Sequence, residues 1–275
     1  MSVPSGLKFS FVGAGRMNRA LVQGLLRVGV AAPGDIHVST RTPEKLAALR
    51  EEFGIVTAPD NASAAGAGDV VIFGVKPADA PAAIESCKSA LKAKLVVSVM
   101  SGLAISTLRE MTGASPRLVR AMPNVAALAG AGATAVAFDA KHTEVDVHAA
   151  ELLFGSVGKV YPVKESLLDA VTGLSGSGPA YLYLVMEALA EGGVKAGLPR
   201  DLAQQLAVQT VLGSAQLAVE TKQHPALLRE MVTSPGGTTA AALAVLEDRG
   251  VRGAFIAAVE ASARRAAELG SVAKK

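Results

Sequence analysis

The chain has 275 residues, half of them hydrophobic and 19% charged, which is too apolar for a disordered protein and too evenly mixed for a membrane one. Lys and Arg outnumber Asp and Glu by 27 to 24; this net charge of +3 is scattered, and the closing Lys274-Lys275 pair makes no nucleic-acid tail. Aromatic residues at 4% with no Trp argue against base-stacking platforms, and a lone cysteine, Cys87, excludes an internal disulfide or thiolate cluster and suits a reducing cytosol.

Residues 1–8 are short and polar and run straight into an apolar stretch, so no signal peptide is expected; charge, Gly or Pro breaks every apolar run before bilayer length. Residues 8–14 predict a buried strand ending in glycine, followed by a helix from Arg16 to Val28 and a strand over 36–39. Thr42-Pro43-Glu44 supplies a cap, a first-turn proline and an early acidic residue for a helix that Gly54 ends after Phe53. A strand near 55–57 follows, then a short helix capped by Asp60 or Asn61, an apolar strand over 69–74, and a helix from Pro77 to Leu91. Strands over 95–99 and 117–121 flank a helix at 106–111. A strand at 132–138, a helix at 145–155 and a short strand at 157–161 complete an alternation that predicts a parallel sheet covered on both faces.

From Glu165 the pattern turns helical, over 165–172, 177–196, 200–221, 225–232, 239–248 and 251–270, which puts a domain boundary near residue 163. Residues 180–190 are apolar nearly all round, and Val208, Val211, Leu212, Ala215 and Val219 recur at helical spacing. Helices of this kind need partners on several sides, and a second subunit would supply them.

Gly13-Ala14-Gly15 stands between the first strand and the first helix, where a tight turn of bare backbone lets a pyrophosphate reach the free N–H groups of the helix. The third small residue of that fingerprint is replaced by Asn18, which is expected to push the helix slightly off the sheet. After the second strand, where an NAD site carries an acidic residue, stand Ser39-Thr40-Arg41. Two hydroxyls and a guanidinium suit a 2′-phosphate, so NADPH is expected over NADH. Gly74-Val75-Lys76-Pro77, Val99-Met100-Ser101-Gly102 and Met122-Pro123-Asn124 follow later strands and are expected to rim the same cleft. Two hydroxyl-rich loops, 173–181 and 233–239, open onto helices whose N-termini suit an anion such as a carboxylate; their hydroxyls either cap the helix or serve a substrate. His37, His142, His148 and His224 lack metal-ligand spacing, so no metal site is expected, and Cys87 reads as an inert thiol within a helix.

The second loop reads Thr233-Ser234-Pro235-Gly236-Gly237-Thr238-Thr239, followed by Ala242-Leu243 and Glu247. Together with residues 169–181, Val75-Lys76-Pro77 and the N-terminal glycine turn, in order along nearly the whole chain, it resembles the pyrroline-5-carboxylate reductases. The resemblance implies an α/β fold with a Rossmann-like dinucleotide-binding domain over 1–163 and an all-helical C-terminal substrate-binding and dimerisation domain over 164–275. It implies hydride transfer from NADPH, or NADH, to the C=N bond of L-1-pyrroline-5-carboxylate, giving L-proline as the last step of proline biosynthesis in the cytoplasm. Members act as homodimers interlocked through the helices, and several assemble further into decamers. Cofactor contacts would fall on Val12, Gly13, Ala14, Gly15, Arg16, Met17, Ser39, Thr40, Arg41, Asn61, Gly74, Val75, Lys76, Pro77, Val99, Met100 and Ser101. Substrate contacts would fall on Glu165, Ser234, Gly237, Thr238 and Thr239, with Thr239 beside the ring nitrogen as the catalytic residue.

Asn18, Lys222 and Met231 depart from residues found in relatives. A reductase of another cyclic imino acid, such as a six-membered ring, is the alternative. A β-hydroxy-acid dehydrogenase would place a lysine on a long interdomain helix, yet no Lys or Arg lies between Tyr181 and Glu191. A nucleotide sensor would not need the intact 234–239 loop. Neither a nucleic acid nor a membrane is expected as a partner.

Overall fold

The computed structural model describes residues 6–272; residues 1–5, most of the segment read for a leader, and the Lys274-Lys275 pair lie outside the described residues. The chain divides into two compact units, one running to Gly176 and resuming at Ala261, the other Ser177–Glu260. No helix among the described residues is long and apolar enough to cross a membrane.

In the first unit, eight strands form one sheet: β1 (Phe9–Val12), β2 (Ile36–Ser39), β3 (Val56–Thr57), β4 (Val70–Phe73), β5 (Leu95–Ser98), β6 (Arg117–Met122), β7 (Gly132–Phe138) and β8 (Gly158–Pro162), in the order β3-β2-β1-β4-β5-β6-β7-β8. The helices α1 (Arg16–Arg27), α2 (Pro43–Phe53), α3 (Asn61–Ala67), α4 (Ala80–Glu85), α5 (Ile105–Thr112) and α6 (Glu144–Gly155) connect them. Side chains alternate between the two faces of a strand. Phe9, Phe11, Val70 and Ile72 therefore enter one core with Leu21, Leu25 and Phe154, whereas Val12, Val71 and Phe73 enter a second with Ile84, Leu91 and Leu108. Burial on both faces is why β4 is an unbroken apolar run and why β1 and β5 are apolar but for one buried serine each, Ser10 and Ser98. Strand order reverses between β1 and β4, which leaves a crevice at their carboxyl ends.

The sheet is not wholly parallel, as the alternation had suggested: β7 runs antiparallel to β6, with Val119 opposite Phe138 and Met122 opposite Ala135. Only a 3₁₀ turn at Val125–Ala129 links them, and a parallel return needs a longer crossover. The expected helix from Pro77 to Leu91 is also broken. A 3₁₀ turn at Pro77–Asp79 precedes α4, and another at Lys88–Leu91 follows it. Pro81 has no N–H to bond residue 77, and its ring collides with that carbonyl, so a single straight helix cannot run through.

Residues beyond β8 stay with the sheet unit up to Gly176, past the boundary expected near residue 163. Leu168 in α7 (Leu168–Val171) is buried with Ala135 and Ala137 of β7, which ties this segment to the sheet. The 173–181 segment, read as a loop, is instead wound: a π-helical turn spans Thr172–Gly176, and α8 (Gly178–Lys195) follows. Thr172 and Ser175 donate their hydroxyls back to the Leu168 and Val171 carbonyls.

The second unit holds α8, α9 (Arg200–Thr221), α10 (Pro225–Met231), α11 (Thr238–Asp248) and the start of α12 (Val251–Val272). Gly193 of α8 lets α9 approach, since a Cβ there would meet Ala203 Cβ at 3.2 Å. Burial in α8 to α11 is confined to Ala203 and Ala207. Leu184, Leu212 and Val219 are 65%, 56% and 73% exposed. The unit has almost no core of its own.

Candidate active site

Gly13 has φ +101, and a Cβ on it would press on Val75 at 3.0 Å and on the Gly74 carbonyl at 3.2 Å. Bare backbone is therefore required there. Gly15 is the N-cap of α1, with no side-chain cap and no acidic residue in the first turn, which leaves the N-terminal N–H groups available to an anion.

Asn18, the departure from the glycine fingerprint, has a definite role in the turn. It is buried, and its Nδ2 donates to the Gly13 carbonyl at 2.8 Å and to the Val12 carbonyl at 3.4 Å. The side chain thus stitches the glycine turn from behind, where a third glycine would have allowed only close packing.

The crevice widens into a groove of about 410 Å³ lined by Val12, Gly13, Ala14, Gly15, Thr40, Arg41, Thr42, Lys45, Asn61, Gly74, Val75, Lys76, Asp79, Ala82, Ala83 and Ser86. Three cations and one carboxylate face it, which favours an anionic guest. Asp60, not Asn61, caps α3: its Oδ1 accepts from Ser63 N at 2.7 Å. Asn61 is thereby free for the groove, where its Oδ1 accepts from the buried Ser39 hydroxyl at 2.8 Å and its Nδ2 donates to Ser86 Oγ at 2.9 Å. Arg41 pairs with Asp79 at 3.0 Å.

Arg16, Met17, Ser39, Pro77, Val99, Met100 and Ser101 do not line the groove. Met17 and Val99 pack on the first core, Met100 is 2% exposed in the second, and Ser101 is exposed. Sequence reasoning missed Lys45, Asp79 and Ser86 as groove residues, and read Thr42 only as a helix cap. Pro81, which forces the break after the 3₁₀ turn, was the available signal for Asp79. Cys87 lies beside this region, but its thiol donates to the Ala83 carbonyl at 3.3 Å, and burial pushes its pKa up to about 11, the state of an unreactive thiol.

Glu165 opens the segment after β8. Its Oε1 accepts from Ile105 N at 2.6 Å, at the start of α5, and from Arg120 at 3.3 Å. Arg120 is nearly buried and also reaches Asp169 at 3.4 Å. In the second unit, the hydroxyl-rich loop turns at Gly236 (φ +67), and Gly237 N donates to the Ser234 carbonyl at 3.0 Å. Gly237 is the N-cap of α11, and no side chain caps it, so Thr238 and Thr239 begin a helix whose first N–H groups are open to an anion.

Residues 165–269 match the family described as pyrroline-5-carboxylate reductase dimerisation, and residues 8–102 match the one described as NADP oxidoreductase coenzyme F420-dependent. The pyrroline-5-carboxylate reductase of Pisum sativum is 44% identical over 260 residues, 94% of this chain and 94% of that one. The chain belongs to the pyrroline-5-carboxylate reductase family. Among solved structures, a pyrroline-5-carboxylate reductase from Coxiella burnetii aligns with a TM-score of 0.91 at 39% identity, covering 96% of this chain and 98% of that one. The Plasmodium falciparum pyrroline carboxylate reductase, solved with NADP bound, aligns at 0.88 and 30% identity with the same coverage. The dimerisation match of the reductase family falls on the helices whose apolar side chains are uncovered in the single chain.

Proposed function

We propose that this member of the family reduces the C=N bond of L-1-pyrroline-5-carboxylate to give L-proline, with NADPH as the preferred cofactor and NADH as a second, in the last step of proline biosynthesis. An identity of 44% to a pyrroline-5-carboxylate reductase, over 94% of both chains, carries this reading.

The bound nicotinamide supplies the hydride. Bare backbone at Gly13, Ala14 and Gly15, with the uncapped start of α1 at Arg16 and Met17, takes the pyrophosphate. Thr40 and Arg41 take the adenosine ribose and its 2′-phosphate, and the buried Ser39 acts behind them by fixing Asn61. Val12, Gly74, Val75 and Lys76, which line the groove, complete the cofactor set, and Pro77, Val99, Met100 and Ser101, on the loops after β4 and β5, serve it from beyond the groove lining.

For the substrate, the N–H groups of residues 237–239 at the open end of α11 hold the carboxylate, with the Ser234 and Thr238 hydroxyls beside them. Glu165 contributes through Oε2, since both of its bonds fall on Oε1. The Thr239 hydroxyl is too weak an acid to protonate the ring nitrogen unaided. The nitrogen takes its proton from water, so that hydride delivery to C5 of the protonated imine yields the amine directly; Thr239 orients the ring and donates to the developing amine, a bond stronger in the transition state than in the ground state. The uncovered helices of the second unit support a homodimer, with a decamer as the larger assembly, and the single-cysteine composition supports a cytoplasmic location.

A steady-state assay crossing NADPH and NADH with five- and six-membered cyclic imino acids tests the reading. The highest kcat/KM is expected for the five-membered ring with NADPH. A preference for the six-membered ring overturns the substrate, and nucleotide binding without turnover overturns the reaction. Analytical ultracentrifugation decides between dimer and decamer.

A further inference from the structure

Arg41 and Asp79 reach the groove from different loops, one after β2 and the other after β4. Asp79 ends the 3₁₀ turn that starts at Pro77, and its Oδ2 lies 3.0 Å from Arg41 Nη2. The Arg41 side chain is 84% exposed and that of Asp79 34%. Among the residues lining the groove, Asp79 is the sole carboxylate, set against Arg41, Lys45 and Lys76.

A guanidinium fork serves a carboxylate or a phosphate equally well. An Arg41 side chain that turns to a 2′-phosphate must give up or share Asp79, and the carboxylate then stands close to a group of like charge. A ribose with a free 2′-hydroxyl meets no such opposition and offers a donor to the same carboxylate. The acidic residue that the end of β2 lacks is thus supplied from the β4 loop.

We propose that Asp79 is a specificity-determining residue: it competes with the 2′-phosphate for Arg41 and so keeps NADH usable by a chain whose Ser39-Thr40-Arg41 segment favours NADPH. This rests on the reading of Arg41 as the 2′-phosphate partner.

Titration calorimetry of the full-length protein at low salt, with adenosine 2′,5′-bisphosphate and 5′-AMP as probes, tests it. Asp79→Asn is expected to tighten the bisphosphate by about two- to fivefold, the range of an exposed ion pair, and to leave 5′-AMP unchanged or weaker. The NADPH-to-NADH ratio of kcat/KM should rise by the same factor. An unchanged ratio overturns the proposal, as does weaker bisphosphate binding, which would make Asp79 an aid to Arg41 instead of a rival. Arg41→Ala tests the underlying reading separately and should abolish the preference for the bisphosphate. If that preference survives, the reading of Arg41 falls and the proposal with it. If it is lost while Asp79→Asn changes nothing, only the role of Asp79 falls.

Discussion

The carboxamide of Asn18 packs so closely on Gly74 that a Cβ built on residue 74 overlaps it. One side chain thus joins the exit of β4 to the glycine turn after β1, because the same carboxamide holds the Gly13 carbonyl. Gly74→Ala should therefore lower stability by about 1–3 kcal/mol through overpacking. Asn18→Gly removes the clash but also the bonds to Gly13 and Val12, so the double variant should lose less than the sum of the two single losses. Denaturant midpoints of the two single variants and the double one check this; a Gly74→Ala midpoint equal to the parent's would mean that the contact has slack.

Glu165 is bound on one oxygen by the start of α5 and by Arg120. Glu165→Ala should cost about 1–3 kcal/mol, because it strips a nearly buried guanidinium and a helix-terminal N–H of a partner. It should also raise KM for the imino acid. Unchanged stability with a raised KM would assign Glu165 to substrate alone, and the reverse pattern would assign it to the fold alone.

Thr239→Ala should reduce kcat by about a hundredfold, the lower end of what a positioned proton-handling group contributes. NADPH affinity, measured by fluorescence titration, should hardly move. Thr239→Ser should retain most of the rate. Parallel losses of turnover and nucleotide affinity in the alanine variant would remove Thr239 from the chemical step.

His37 on β2 has a buried Nε2 without a partner among the described residues. Burial, and secondarily the charge of Lys8, lower its pKa below 6.5, with Asp35 pulling the other way. Below 6.5 the unfolded chain takes up a proton that the folded chain refuses, so stability is lost as pH falls through the window beneath 6.5 and is flat above it. Urea midpoints recorded between about pH 5 and pH 8 should show that slope, and His37→Gln should flatten it. A slope that persists in the variant would place its origin elsewhere.

Local chemistry made much of this molecule readable in advance. Gly13 and Gly15 announce a bare turn, Pro43 and Gly54 bracket a helix, and residues 233–239 announce an open helix start, because each depends on a few neighbouring residues. The direction of β7 was hidden because strand pairing is a long-range matter: residues 132–138 look the same whichever way they run, and only the shortness of the link before them decides. The groove divides along the same line. Arg41 was legible from its place after β2, whereas Asp79 and Ser86 enter through a break in a helix, and Asn61 depends on which of two adjacent residues caps α3.

Cys87 also has a practical consequence. It is the chain's only thiol, and it is sealed within the second core with its proton held tightly. A cysteine introduced on any exposed helix would react with a maleimide dye against almost no background, with the native residue left in place. Paired donor and acceptor dyes on α9 would then report subunit exchange directly in the otherwise unaltered protein.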